Sequence, residues 1–187
     1  MRIYGASDYA VTEGGGDFTE MAIAGVDPND DLYFLDWWSG QTKADVWIER
    51  QLDLCKQWKP MMWGAEAGPI RRSVEPFLNK RIRERREYVR LEWMPTVADK
   101  PTMCRSFQAR TEQRKVFLPK KDWAYDLVAQ LIRFPKGKYD DKVDVCGLFG
   151  RMLDKMYAGV TPMAPDAKAA NDAYRLDNDS EESWKNL

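Results

Sequence analysis

Residues 131–153 read LIRFPKGKYDDKVDVCGLFGRML, a stretch in which turn chemistry gives way abruptly to helical periodicity. The Phe134-Pro135-Lys136-Gly137 run ends one element. From Asp141 to about Tyr157, apolar residues fall nearly all round a helix: Val143, Val145, Cys146, Leu148, Phe149, Met152, Leu153 and Met156. A helix apolar on every side belongs inside the body. At its start Asp141 and Asp144 stand three apart and share one face, with Asp140 beside them. Carboxylates at the mouth of a buried helix are either caps or ligands, because unpaired charge is not tolerated there.

Working outward, residues 2–10 (RIYGASDYA), 18–26 (FTEMAIAGV) and 32–38 (LYFLDWW) read as strands. The Gly-rich stretch Thr12–Asp17 and the run Asp27-Pro28-Asn29-Asp30 read as the turns between them, which predicts an antiparallel meander. Residues 43–58 switch to helical period, with Ile48, Gln51, Leu52, Cys55 and Trp58 on one mostly apolar stripe, and Lys59-Pro60 ends that helix. MMWGAEAG (61–68) reads as a buried strand, and a strand–helix–strand crossover implies parallel pairing with the earlier sheet. A helix from Pro69 to about Arg86, a fifth strand over 88–94, and a helix from Lys100 to Lys115 follow. Next come a short extended piece at 116–119 and a helix capped by Asp122 that runs to Phe134. The expectation is an α/β fold: a mixed five-stranded sheet, antiparallel meander plus parallel strands, with helices on both faces. Residues 1–159 form the domain, and 160–187 a loosely held acidic tail.

Composition narrows the chemistry. The chain has 187 residues, 44% of them hydrophobic and 32% charged, as expected of a soluble globular protein. No apolar run approaches the ~20 residues needed to span a bilayer, and the opening lacks a secretory signal, so an intracellular protein is expected. There is no histidine, and the three cysteines are far apart. A Ser-His-Asp or Cys-His nucleophilic site is therefore excluded, and a Cys/His zinc site is not expected. From Val160 onward six acids face three bases, a net −3, which leaves +2 of the overall −1 for residues 1–159. A mildly basic body is compatible with nucleic acid.

Three separated segments place acids where strand or helix logic does not want them. Asp8 lies among Gly5, Ala6 and Ser7, and Glu66 among Gly64, Ala65, Ala67 and Gly68. Small neighbours leave room for a charged ligand. Blander readings exist for each: a turn residue for Asp8, an arginine's partner for Glu66, an N-cap for Asp140 or Asp141. Taken together, four carboxylates at one point would repel unless cations lay between them. Oxygen-only ligands select Mg²⁺ or Mn²⁺. Two such ions ~4 Å apart can activate water and steady both oxygens of a phosphodiester in a reaction that needs no histidine.

The order of these acids (first strand, fourth strand, last helix) resembles the ribonuclease H-like superfamily. GASDYA, WGAEAG, the Lys100–Arg105 segment and the 131–153 stretch resemble, more narrowly, the C-terminal nuclease domain of the large terminase subunit of tailed bacteriophages. The resemblance covers roughly residues 3–157. It implies that Asp8, Glu66 and Asp141 are catalytic metal ligands, with Asp144 and Asp140 further candidates. It also implies a metal-dependent endonuclease that cuts concatemeric double-stranded DNA during viral genome packaging. Val145-Cys146 departs from the family's more usual Ala-Leu. The implied partners are the packaging ATPase domain of the same subunit, the portal and the small subunit, in the cytoplasm of an infected bacterium and without any membrane. No G-x-x-x-x-G-K-[ST] loop occurs, so the chain is read as the nuclease half alone, with Met1 an added start, unable to drive packaging by itself.

For DNA contact, NKRIRERREYVR (79–90) offers six bases against two acids. That run reads equally as a solvated face laced with ion pairs. Arg83 and Arg86 are its candidates for phosphate contact. Lys100 and Arg105 are preferred, because they lie in a segment matching the family. Trp37 and Trp38 are read as core, and Trp184 as a possible small anchor. The rival readings are a junction resolvase or transposase of the same fold and a non-catalytic docking module.

Overall fold

The computed structural model describes residues 1–10, 17–96, 99–137 and 140–157. The expected turn at 12–16 and the tail from 160 onward, with Trp184, lie outside the described residues. In chain order the elements are β1 (Arg2–Asp8), β2 (Thr19–Val26), β3 (Leu32–Gly40), α1 (Ala44–Trp58), β4 (Met62–Ala67), α2 (Pro69–Arg85), β5 (Arg90–Pro95), α3 (Lys100–Met103), α4 (Arg105–Glu112), β6 (Val116–Phe117), α5 (Asp122–Arg133) and α6 (Asp141–Tyr157). Met1–Asp154 forms one compact unit. Lys155–Leu187 forms a second, of which only the close of α6 is described. No helix among the described residues is long and apolar enough to cross a membrane.

The strands form one sheet in the order β5-β4-β1-β2-β3-β6. β1 to β3 are the expected antiparallel meander. The β2–β3 turn is tied by Asp27, whose Oδ1 accepts from the backbone N–H of Asn29 and of Asp31 at 2.9 Å each. β4 then pairs parallel with β1, and β5 parallel with β4, as the crossover required. The sheet has six strands rather than five: the short extended piece at Val116–Phe117 pairs parallel with β3 and closes the far edge. The predicted 100–115 helix is two helices broken at Cys104. Lys121 rather than Asp122 occupies the cap of α5, and Asp122 is its first helical residue.

Every residue of β2 is buried, since helices cover both faces. On one face Met21, Ile23, Trp63 and Ala65 pack with Trp47, Ile48 and Leu52 of α1 and Val74, Leu78 and Ile82 of α2. On the other, Phe34 meets Phe107 of α4 and Phe149 of α6 edge-on, while Trp37 stacks on Trp123 of α5. Two glycines let α6 come close. A Cβ on Gly64 would stand 2.2 Å from Met152 Sδ, and one on Gly150 would stand 2.6 Å from the backbone nitrogen of Phe107. Clamped between β4 and α4, α6 buries Val143, Val145, Leu148, Phe149, Met152 and Leu153, which accounts for its apolar circumference.

Candidate active site

Strand alternation decides where the acids point. Gly64 faces α6, so Glu66, two residues on, faces the same side. Ala6 pairs with Gly64 across the β1–β4 ladder, so Asp8 also leaves on that side, at the same end of the neighbouring strand. The first turn of α6 carries Asp141 and Asp144, where the amino end of a helix favours negative charge. Asp8, Glu66, Asp141 and Asp144 accordingly line one cavity of about 240 Å³, together with Asp17 and Lys100. A neighbouring cavity of about 240 Å³ shares Asp8 and Glu66 and adds Thr96, whose hydroxyl donates to Glu66 Oε1. A larger groove of about 920 Å³ lies between α1 and α2. Of its three acids, Glu49 and Asp53 are paired with Arg81 and Arg85, which leaves Asp45, so it offers no comparable concentration of unpaired charge.

The crowding of like charge shows in the acidities. Burial, then the carboxylates of Asp144, Glu66 and Asp141, push Asp8 well above the usual carboxylate range, with Lys100 opposing. Asp8 keeps some water contact through the cavity while protein surrounds the rest of it. Burial lifts Asp144 to about 6, against the hydrogen bond from Lys100. Asp141 is raised by burial, then lowered by the backbone N–H of Phe18, which donates to its Oδ2 at 3.4 Å. Among the described residues Lys100 supplies the one positive charge lining this cavity. Its Nζ donates to Asp140 Oδ1 at 2.9 Å and Asp144 Oδ2 at 2.7 Å. Burial pulls its pKa down, but those two bonds more than offset this and it stays above the ordinary lysine value.

The other candidate nucleophiles at the site are inert. Burial lifts the Cys104 thiol to about 11 and that of Cys146 well above its usual value. The Tyr9 hydroxyl turns away and donates to Gln51 Oε1 at 2.7 Å. Proton acceptance near neutral pH therefore falls to the carboxylates.

Among the described residues no three acids or cysteines stand close enough to ligate a single ion as placed. The donor set nevertheless suits a hard divalent cation: every donor is a carboxylate oxygen, and an added cation would relieve the repulsion that raises Asp8 and Asp144.

Of the other predicted residues, Asp140 stands at the rim, held by Lys100. Arg105 is exposed at the start of α4, near enough to lower Asp99. Arg83 and Arg86 are not brought to the cluster: they sit at the far end of α2, roughly 20 Å along the helix from Pro69. In the 79–90 run Lys80, Arg81, Arg85 and Arg90 all pair with acids, so Arg83 and Arg86 are its bases without an ion pair among the described residues. Sequence reasoning missed Asp17 and Thr96, neither of which has a local signal beyond a polar side chain at the end of a loop or strand.

The fold has solved counterparts. The large terminase nuclease from thermophilic phage G20c, with bound zinc, superposes with a TM-score of 0.59 at 12% identity, covering 79% of this chain and 78% of that one. The fold is ribonuclease H-like. The large terminase of a second thermophilic bacteriophage matches this ribonuclease H-like body with a TM-score of 0.60 at 10% identity, over 81% of this chain but 39% of that one. T. thermophilus RuvC in complex with a Holliday junction substrate matches with a TM-score of 0.50 at 9% identity, over 84% of this chain and 96% of that one. No protein-family model and no curated protein matches the sequence. At such identities the likeness establishes the ribonuclease H-like architecture and nothing finer.

Proposed function

We propose that the chain is a metal-dependent endonuclease that hydrolyses double-stranded DNA, working as the nuclease domain of a viral packaging terminase. The observation that carries this reading is the cavity lined by Asp8, Glu66, Asp141 and Asp144 together with Lys100. Terminase nucleases of the same fold support it.

In this reading Asp8, Glu66, Asp141 and Asp144 would hold two Mg²⁺ or Mn²⁺ ions, with Asp140 at the rim. Bound there, such ions supply Lewis acidity and charge neutralisation toward a phosphodiester. The chain's own residues do the rest. Thr96 orients Glu66 through its hydroxyl, and the Phe18 N–H fixes one oxygen of Asp141. Lys100 would leave its two acids for a backbone phosphate, with Arg105 as a further contact and Arg83 and Arg86 as distant ones. Phosphate contact gives affinity without sequence preference. The partners in this reading are the packaging ATPase domain of the same subunit, the portal and the small subunit, in the cytoplasm of the infected bacterium.

Cleavage of supercoiled plasmid with Mg²⁺, Mn²⁺, Ca²⁺ or EDTA, run beside Asp8→Asn, tests the reading. Cutting that needs the metal and is lost in Asp8→Asn supports it, and full nicking by Asp8→Asn refutes it. A junction resolvase is the second reading, favoured by the 96% of RuvC that the chain covers. Cleavage of four-way junctions with linear duplex left uncut would select it.

A further inference from the structure

A second pair of charges lies behind the acid cluster, buried and unused by the chemistry above. Glu20 of β2 is the cross-strand partner of Asp8, so both side chains leave the same face of the sheet. The side chain of Glu20 is 3% exposed and that of Lys142 is 4% exposed. Lys142 Nζ donates to both Glu20 oxygens, at 3.2 and 3.1 Å, and to Ser39 Oγ at 2.6 Å. Trp37 Nε1 donates to Glu20 Oε2 at 2.6 Å, the Ser39 hydroxyl donates to the same oxygen, and the ammonium lies 5.3 Å over the Trp37 ring. Glu20 Oε2 and Lys142 Nζ are thus tied into β2 and β3, and Lys142 Nζ also stands 3.8 Å from Asp126 Oδ2 of α5.

Lys142 sits in the first turn of α6, between Asp141 and Asp144. Its own backbone N–H donates to Gln130 Oε1 of α5 at 3.3 Å. Holding Lys142 therefore sets the rotation and depth at which its two acidic neighbours enter the cavity. A buried ion pair is weak support for stability, because apolar groups of the same size do as well or better. Its value lies in fixing one geometry. It also occupies Glu20, which would otherwise add another carboxylate beside Asp8.

We propose that Lys142 and Glu20 form a positioning pair for the acid cluster, pinning the first turn of α6 to β2 and β3 so that Asp141 and Asp144 meet Asp8 and Glu66. The inference rests on the nuclease reading of that cluster. The decisive variant is Glu20→Gln with Lys142→Met in the full chain. It removes both buried charges, leaves the net charge unchanged and keeps an acceptor for Trp37 and Ser39, so any change in cation affinity is geometric. Melting is expected to stay within a few degrees of the parent. Hydrogen exchange at the Val143 and Asp144 amides, which bond to the Asp140 carbonyl at 2.8 and 3.2 Å, should quicken at least tenfold, with Leu148 and Phe149 unchanged. The Mn²⁺ dissociation constant by calorimetry should rise at least tenfold. Parent-like exchange and affinity in the variant overturn the inference alone. A parent protein that takes up no Mn²⁺ removes the nuclease reading and this inference with it. If the double variant fails to fold, Ser39→Ala carries the test: it should weaken Mn²⁺ binding about threefold, and no change overturns the proposal.

Discussion

Replacing Asp144 with Asn should make the metal-free protein more stable. The side chain of Asp144 is 12% exposed, and its pKa is lifted from 3.8 to about 6, by burial first and against the pull of Lys100. A folded-state value above the unfolded one means that the native protein binds the extra proton between the two. This group's contribution to stability is therefore complete below about pH 4 and is lost as pH rises through about 6. At pH 7.5 a rise of that size corresponds to roughly 3 kcal/mol of cost for keeping Asp144 ionised. Asn resembles the protonated acid and removes the cost, so roughly 3 kcal/mol is the ceiling on the gain, or about 5–10 °C in melting temperature for a chain this long. The assay is thermal unfolding in EDTA between pH 5 and 7.5, where the lowered carboxylates Glu49 and Asp99 stay ionised. The parent should melt lower as pH rises through this window, and its deficit against the variant at pH 5 should be about half that at pH 7.5. Adding Mn²⁺ should then stabilise the parent more than the variant. A variant that melts below the parent at pH 7.5, or a gap that ignores pH, would refute the argument from crowded charge.

Asp8→Asn and Glu66→Gln should each lose plasmid nicking while melting at or above the parent in EDTA, because both relieve the same repulsion. Thr96→Val, which frees Glu66 from its hydroxyl donor, should keep the fold and lower Mn²⁺-dependent nicking by about tenfold. Lys100→Ala should reduce the slope of log affinity for duplex DNA against log salt by about one, measured by anisotropy with Ca²⁺ present. An unchanged slope would remove Lys100 from the DNA contacts. Gly150→Ala should destabilise by roughly 1–3 kcal/mol, since the new methyl meets backbone at Phe107. Gly64→Ala should cost less, because Met152 can swing aside; the reverse order in urea unfolding would overturn this account of how α6 is clamped.

Much of the fold could be read from local chemistry, and what could not was set by contacts distant in the chain. The meander declares itself through Asp27-Pro28, a turn that needs no tertiary help. The parallel placement of β4 follows from the crossover, and the burial of α6 from its apolar circumference. β6 escaped notice as a strand because two residues carry no alternation, and only the β3 edge makes Val116–Phe117 one. The break at Cys104 is also tertiary: its Sγ would stand 3.0 Å from a Cβ on Gly147, where the chain bends around α6. At the site, alternation and helix spacing were enough to aim Asp8, Glu66, Asp141 and Asp144 at one place. They could not reveal that Lys100 bridges Asp140 and Asp144 some forty residues away. One signal was open to a closer reading: Glu20 is the lone acid in a strand otherwise fit to be buried on both faces, which calls for a buried partner.

The case for a functional rather than structural cluster comes from how this same chain treats its other charges. Along α2, Arg81 and Arg85 are matched to Glu49, Glu84 and Asp53, and the buried Glu20 has Lys142. Around the cavity, Asp8, Asp17, Glu66, Asp141 and Asp144 share one ammonium among the described residues, that of Lys100. Pairing charge is evidently within the reach of this sequence, so a failure to pair at one spot is not a general tolerance of repulsion. A site that raises Asp144 to about 6 and Asp8 well above the usual carboxylate range holds its acids together against their own field, as the cation site proposed above requires.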